Sequence, residues 1–171
     1  MKNIVLIGMP ASGKSTVGVV VAKRLGFEFI DTDLLIQKRE NKLLWEIIEE
    51  RGLDEFCRIE NEVNKELLVD RAVIAPGGSV VYCEEAMEHF KKIATIVYLQ
   101  VPFEDVKKRL RNIKQRGVSI REGQTLEDLY HERAALFEKY ADITISEENC
   151  LLEETIEKVL DVLENLNTLC I

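Results

Sequence analysis

Nine residues near the start of the chain, Gly8 to Thr16, match the pattern G-x-x-x-x-G-K-[ST] at every fixed position. In a loop of this kind successive backbone N–H groups turn inward and, with the N-terminus of the following helix, cradle the phosphates of a nucleotide. The pattern predicts that Lys14 reaches the β- and γ-phosphates and that the Ser15 hydroxyl ligates Mg²⁺. The predicted nucleotide-binding residues of this loop are Gly8, Ala11, Ser12, Gly13, Lys14, Ser15 and Thr16.

Two further groups of residues are expected at the same edge of the fold. Asp31 and Asp33 follow one short apolar run, and the glycine pair Gly77-Gly78 follows another. Ligands of parallel sheets bind beyond the carboxyl ends of the strands, so both groups should face the same crevice as the phosphate loop. Asp33 can also cap the helix after it, and the two roles can coexist. The glycines indicate close approach of backbone to a ligand, with a plain turn as the alternative.

Strands and helices must hold these residues at one edge of a sheet, and the hydrophobic pattern predicts such strands and helices. The predicted strands are 2–7, 27–30, 72–75, 95–99 and 143–145. The predicted helices are 15–25 with a stop at Gly26, 34–70 with interruptions at Asn41 and Gly52, 84–92, one opened by Pro102, one capped by Thr125 and Asp128, and 151–166. Strand, helix and strand within the first 33 residues form the βαβ unit of a parallel sheet. The pattern therefore predicts one α/β domain over residues 1–171.

The single tryptophan, Trp45, lies in the first half of the long helical region, near Leu44, Ile47 and Ile48. These apolar residues form a stripe at helical spacing. We therefore expect Trp45 to pack in the core rather than to stack on a ligand.

The segment 112–125 has no apolar period and carries Gly117, Gly123 and the basic residues Lys114, Arg116 and Arg121. A polar, basic segment with glycines in a nucleotide-binding protein is a candidate lid, which closes over the phosphates and excludes water. Arg116 and Arg121 are the candidates for the arginine that this lid brings to the nucleotide.

The composition excludes several classes of function. A net charge of −8 argues against a general nucleic-acid binder, because such proteins need clustered Lys and Arg. No apolar run approaches the length of about 18 residues that spans a bilayer, and no leader sequence precedes the first strand, so a cytoplasmic protein is expected. The four cysteines lack C-x-x-C spacing, which favours reduced thiols over disulfides.

Taken together, these motifs resemble those of the shikimate kinase family of P-loop small-molecule kinases, along most of the chain. The matching pieces are Gly8 to Thr16, Asp31-Thr32-Asp33, Phe56 with Glu60, Gly77-Gly78, Arg109, and the stretch 132–137 ahead of Tyr140-Ala141-Asp142. The resemblance implies a P-loop, nucleoside-monophosphate-kinase-like fold in three layers, with a five-stranded parallel sheet flanked by helices. It also implies that the helical region 34–70 binds the phosphate acceptor.

The resemblance assigns roles to individual side chains. It implies that Lys14 and Ser15 hold the phosphates and Mg²⁺, and that Asp31 supports the metal. Asp33 is implied to bind the attacking hydroxyl, and we interpret it as the group that accepts or orients the hydroxyl proton. Arg109 would lie against the adenine of ATP. The implied acceptor-binding positions are Asp33, Cys57, Gly77, Gly78, Ser79 and Arg133, with Arg133 on the substrate carboxylate.

Three positions depart from the family's pattern. The family usually has Phe-Arg where this chain has Phe56-Cys57, so one carboxylate-binding arginine is absent. Its third glycine is Ser79 here, and its R-P-L-L lid sequence is missing, which leaves Arg116 and Arg121 as alternatives for the lid arginine.

The resemblance implies an ATP- and Mg²⁺-dependent kinase that converts shikimate to 3-phosphoshikimate in aromatic amino acid biosynthesis. An alternative is the same chemistry on another small hydroxylated acid, such as homoserine or a sugar acid. A third hypothesis, from another class, is a nucleotide-binding regulatory module without transfer activity. A GTPase is disfavoured because the chain has no N-K-x-D signature. We expect a monomer with a small-molecule substrate.

Overall fold

A five-stranded parallel sheet forms the middle layer of the protein, for which a computed structural model describes residues 2–110, 120–121 and 123–168. Its strands are β1 (Asn3–Ile7), β2 (Glu28–Asp31), β3 (Ala72–Ala75), β4 (Ala94–Gln100) and β5 (Ile143–Ser146). The α-helices in the described ranges are α1 (Lys14–Leu25), α2 (Thr32–Glu40), α3 (Leu44–Lys65), α4 (Glu84–Ile93), α5 (Phe103–Arg109), α6 (Leu126–Tyr140) and α7 (Leu152–Thr168). A short 3₁₀ helix, Val80–Tyr82, follows β3. Each predicted strand is present within one or two residues of its predicted bounds.

The strands are ordered β2-β3-β1-β4-β5, so the first strand lies at the centre of the sheet. Ile4 of β1 is paired with Val73 of β3 on one side and with Thr95 of β4 on the other. The chain thus leaves β1 in one direction for β2 and β3 and later returns on the other side for β4. Such a reversal of strand order opens a crevice beyond the carboxyl ends of the strands, which is where parallel sheets bind ligands.

Both faces of the sheet are covered by helices. All five residues of β1 are buried, as expected for a strand in a parallel sheet with two covered faces. Val5 and Ile7 belong to the core cluster that includes α4, α5 and α6. Ile4 and Leu6, which point the opposite way, pack with α1 and α7. The arrangement confirms the predicted α/β fold with three layers.

The predicted helix ends are confirmed at two places and corrected at a third. Gly26 ends α1 with a left-handed φ of 67°, and Thr125 and Asp128 form the predicted capping box of α6. The alternative role of Asp33 as the cap of α2 is not found, because the helix begins at Thr32 rather than at residue 34. Asp31 is the cap, and its Oδ1 accepts a hydrogen bond from the Asp33 backbone N–H at 3.0 Å.

The helical region 34–70 consists of α2 and α3, broken at Asn41, and α3 ends at Lys65 rather than at residue 70. Gly52, with φ 82° and ψ 169°, kinks α3 at the second predicted interruption. The expectation that Trp45 packs in the core is wrong, since 42% of this residue is exposed. Ile47 occupies the inward face of the helix, and two residues correspond to about 200° of helix rotation, so Trp45 faces outward.

Three of the four cysteines, Cys57, Cys83 and Cys150, lie in the described ranges, and all three are free. Cys170 lies outside those ranges. None of the helices described is both long and apolar enough to cross a bilayer. Most of the predicted lid, including Arg116, also falls outside the described residues.

Candidate active site

The phosphate loop leaves the carboxyl end of β1 and turns directly into α1. Gly13 caps α1 with a φ of 89°, a left-handed conformation that glycine adopts without steric cost. The loop encloses the Lys14 side chain, whose Nζ donates to the Gly8 carbonyl at 2.9 Å and to the Met9 carbonyl at 3.0 Å. Burial lowers the pKa of Lys14 from 10.5 to about 8, although Asp33 acts in the opposite direction. The loop therefore holds a buried cation at the start of a helix, which is an arrangement that binds phosphates.

Ser15 and Asp31 form a pair of oxygen ligands beside the loop. The Ser15 hydroxyl donates to Asp31 Oδ2 at 2.9 Å, while Oδ1 of the same carboxylate caps α2. Hydroxyl and carboxylate oxygens suit Mg²⁺, which in phosphate sites usually takes one or two protein ligands and completes its shell with water and phosphate. The two side chains therefore fit the predicted metal.

Asp33 lies in the first turn of α2 and faces the same cavity. Burial raises the pKa of its carboxyl from 3.8 to about 6, and the Asp31 charge adds to this effect, while Lys14 opposes it. Its Oδ1 is buried and has no hydrogen-bond partner among the residues described. A buried carboxylate oxygen without a partner is costly, so it is suited to accept a hydrogen bond from a ligand hydroxyl.

A third carboxylate, Glu60 of α3, is completely buried on the other side of the turn that follows β3. Burial raises the pKa of Glu60 to about 7, and a hydrogen bond with the Ser79 side chain acts against this shift. Its Oε1 lacks a hydrogen-bond partner within the described part of the chain. Glu60 was quoted above only as part of the resemblance and was not predicted as a site residue. Its position directly after Ile59 and four residues after Phe56, on the apolar side of α3, was the available signal.

The glycine pair after β3 packs tightly against the charged side chains. A Cβ added to Gly77 would lie 2.7 Å from Glu60 Oε1 and 2.8 Å from Asp33 Oδ1. A Cβ on Gly78 would lie 2.8 Å from Pro10 Cδ and 3.2 Å from Arg133 Nη1. Distances below 3.0 Å force a displacement, so Gly77 in particular is required to keep both carboxylates in place.

Arg133 of α6 supplies a buried cation to the cavity, with 1% of the residue exposed. Its guanidinium carbon lies 5.3 Å from the centroid of the Tyr82 ring. Burial raises the pKa of the Tyr82 hydroxyl, and Arg133 acts against this shift. The aromatic ring of the 3₁₀ helix thus fixes the orientation of this guanidinium. Tyr82 is a further residue that was not predicted from the sequence.

One cavity of about 300 Å³ joins these groups. The predicted site residues that line it are Ala11, Gly13, Lys14, Ser15, Thr16, Asp31, Asp33, Gly77, Gly78, Ser79 and Arg133. The groups predicted to bind the phosphates, the metal and the acceptor therefore meet in one space. Two residues of the loop, Gly8 and Ser12, lie behind this lining, and Gly8 contributes the carbonyl that holds Lys14.

Arg109 lies beside the phosphate loop rather than in the cavity lining. Its guanidinium is 3.3 Å from the Glu147 carboxylate and 3.4 Å from the Ala11 carbonyl. Glu147 is buried, and burial raises the pKa of its carboxyl, while the hydrogen bond from Arg109 lowers it. The contact of Arg109 with adenine stays a prediction.

Cys57 and Arg121 line a second cavity of about 190 Å³, together with Tyr82. Cys57 was predicted at the acceptor site, and Arg121 was predicted at the nucleotide. The structure places Arg121 over the Tyr82 ring, which Arg133 also contacts.

The fold and the site together define a P-loop kinase of the nucleoside-monophosphate-kinase-like class. The sequence model of one family, shikimate kinase, matches residues 10–164. A shikimate kinase of Thermodesulfovibrio yellowstonii is 38% identical over 98% of this chain and 98% of its own, and that of Aquifex aeolicus is 36% identical over 95% and 96%. The solved shikimate kinase of Acinetobacter baumannii, in complex with shikimate, is similar with a TM-score of 0.89 and 30% identity over 96% of this chain and 94% of that one. The chain belongs to the shikimate kinase family.

Proposed function

We propose that this chain transfers the γ-phosphoryl group of ATP to a hydroxyl of shikimate and forms 3-phosphoshikimate and ADP. The observation that carries the proposal is the single cavity that joins the phosphate loop to Asp33 and Arg133. In a member of the shikimate kinase family, this cavity has a phosphate end, an acceptor end and a buried carboxylate between them.

The side chains of this cavity account for the chemistry that the transfer needs. In-line phosphoryl transfer requires mainly positioning and neutralisation of charge. Lys14 supplies positive charge at the phosphates, whose own negative charge raises the pKa of this buried amine and keeps it protonated. Asp33 accepts a hydrogen bond from the attacking hydroxyl and takes or orients its proton. Arg133 pairs with the carboxylate of the acceptor, as a planar guanidinium does best.

Ser15 and Asp31 are the residues that would hold Mg²⁺ at the phosphates. The metal, when bound, neutralises charge on the transferred phosphoryl group. We also propose that the enzyme acts in the cytoplasm, supported by the free thiols Cys57, Cys83 and Cys150, which are typical of a reducing compartment.

A coupled assay of ADP release tests this function. The purified protein is incubated with MgATP and a panel that contains shikimate, homoserine and several sugar acids, and the phosphorylated product is identified by mass spectrometry. We expect shikimate to give the highest kcat/KM. Lys14→Met keeps the buried chain length but removes the charge, so it serves as the control for contaminating kinases and should abolish turnover.

Each alternative has its own outcome in this panel. High turnover with homoserine or a sugar acid, and little with shikimate, would assign a different acceptor. Normal ATP binding with no acceptor above slow hydrolysis would indicate a regulatory nucleotide-binding module.

A further inference from the structure

Two arginines lie over one aromatic ring, that of Tyr82, which lines the small cavity. The guanidinium carbon of Arg133 lies 5.3 Å from the centroid of the Tyr82 ring, and that of Arg121 lies 5.8 Å from the same centroid. Both distances fall within the range of cation–π attraction, so the ring stabilises both cations. Arg133 lines the large cavity and Arg121 lines the small one.

The position of Arg121 is set by a turn that ties it to α6. The backbone N–H of Gln124 donates to the Arg121 carbonyl at 3.1 Å, and the Arg121 N–H donates to the Gln124 side chain at 3.4 Å. The amide of Gln124 in turn donates to Glu132 of α6 at 3.0 Å. Arg133 is the next residue of α6, so both cations are anchored to the same helix.

The charge of Arg121 is available to a ligand. Across the ranges that the structure describes, no carboxylate lies within 4.0 Å of this guanidinium, and Asp54, which lines the same small cavity, also stays beyond that distance. Two neighbouring guanidiniums repel each other unless an anion lies between them. A carboxylate has enough lone pairs to accept hydrogen bonds from two guanidiniums at once.

Cys57 provides the space in which such an anion can reach both cations. It lines the small cavity with Arg121 and Tyr82, and its short side chain leaves that cavity open. Burial and the Glu60 charge raise the pKa of the Cys57 thiol, whereas Arg133 and Arg121 lower it. Both guanidiniums are therefore within electrostatic reach of this position.

We propose that Arg121 is a specificity-determining residue that binds the carboxylate of the acceptor jointly with Arg133, across the space that Cys57 leaves open and with Tyr82 holding both guanidiniums. This inference rests on the proposed function and adds to it the source of the second cation. It also replaces the expectation that Arg121 contacts the nucleotide.

The test is the steady-state kinetics of Arg121→Gln, with circular dichroism to verify that the variant is folded. We expect the KM for shikimate to rise about 10-fold or more, as the loss of a charge-assisted hydrogen bond predicts. The KM for ATP and kcat should stay within about threefold, because the interaction is made equally in the ground state and the transition state. Arg58→Gln is the matched control, since it removes the same charge next to Cys57 from a side chain paired with Glu55 and Glu62.

Two further measurements separate carboxylate binding from a general effect on folding. The amide of shikimate, which lacks the negative charge, should be used equally poorly by the wild type and by Arg121→Gln. Adding Cys57→Arg to Arg121→Gln should recover most of the lost affinity, because it places a guanidinium in the same space. The same substitution in the wild type should change the KM for shikimate much less.

If the wild type phosphorylates shikimate and Arg121→Gln has an unchanged KM for it, this inference is overturned and the proposed function stays intact. A rise in the KM for ATP alone would return Arg121 to the nucleotide and also overturn it. If the wild type does not use shikimate, the proposed function fails, and the same variants are then measured on the acceptor that the panel identifies. An acceptor without a carboxylate would overturn the inference as well.

Discussion

Asp33 is the side chain on which the proposed transfer depends most directly. The charges of Lys14 and Asp31 both act on its carboxyl, and a Cβ added to Gly77 would lie 2.8 Å from its Oδ1. Burial is the main reason why its pKa is raised to about 6. Near neutral pH this carboxyl is ionised but remains a better proton acceptor than an exposed aspartate, as a group that orients or accepts the proton of a hydroxyl requires.

Asp33→Asn is expected to lower kcat by a factor of about 10² to 10⁴, the usual contribution of a positioned proton acceptor. The KM for ATP should change little, because the amide keeps the shape of the side chain. In the wild type, kcat/KM should fall as the pH drops below about 6, where Asp33 becomes protonated, and the variant should lack this dependence. Steady-state rates from pH 5 to 9 measure both effects. An ATP affinity that falls as far as kcat would make Asp33 a nucleotide or metal ligand instead.

At the scale of elements, the site depends on the turn between β3 and the 3₁₀ helix. This turn places Gly77 between α2 and α3, against Asp33 of the first and Glu60 of the second. It also places Gly78 against the phosphate loop and α6. Four elements that are distant in sequence therefore keep their spacing through two residues without side chains.

Gly77→Ala is expected to lower kcat at least tenfold, because its Cβ would displace Asp33, and a misplacement of about 1 Å costs up to about 10² in rate. Stability should fall by about 1 to 3 kcal/mol through overpacking.

Gly26→Ala provides the matched control for this loss of stability. It strains the left-handed cap of α1 at a cost of about 1 kcal/mol, but nothing lies within 4 Å of its new Cβ and no site residue is displaced. Its kcat should equal that of the wild type. Rates and urea midpoints of the three proteins decide the matter, and a fully active Gly77→Ala would contradict the assigned role of the turn.

At the scale of the whole molecule, three buried titratable groups in and behind the cavity oppose folding. Burial raises the pKa of Asp33 and Glu60 and lowers the pKa of Lys14, so in each case the folded protein disfavours the charged form. For a carboxyl whose pKa is raised, the folded state binds its proton more tightly than the unfolded chain does. The contribution of each of these carboxyls to stability therefore decreases as the pH rises from the unfolded to the folded pKa, and that contribution is constant above this range.

Glu60→Gln tests this relation, because Glu60 is the most deeply buried of the carboxyls. Its pKa rises from 4.5 to about 7 on folding, so the variant should gain stability relative to the wild type between those pH values. The gain should reach at most about 3 kcal/mol at pH 8 and should vanish below pH 4.5. Urea unfolding at pH 4.5, 6 and 8 measures it.

Glu49→Gln is the control for this pH dependence, since Glu49 is an exposed glutamate of the same helix α3. Its stability should track that of the wild type at all three pH values. If Glu60→Gln also tracked the wild type, the buried Glu60 carboxyl would not be the source of the predicted pH dependence.

Local patterns in the sequence determined the strands, the phosphate loop and the ends of several helices. The Gly26 stop, the Thr125 capping box and the strand–loop–helix around Lys14 each depend on residues within a few positions of one another. Such short-range interactions can be predicted from the sequence, because residues that are close along the chain determine the helical period and the cap. The α/β class followed from the order of these elements.

Only the tertiary structure decided the order of the strands in the sheet and the exposure of Trp45 to solvent. It also decided that Asp31, rather than Asp33, caps α2. Only the tertiary structure showed that Glu60 is fully buried and lies beside Gly77. It also brought Arg121 and Arg133 to the Tyr82 ring, although Arg121 lies 39 positions after Tyr82 in the sequence. Burial and long-range contact depend on how separate elements pack, and no local period encodes that packing.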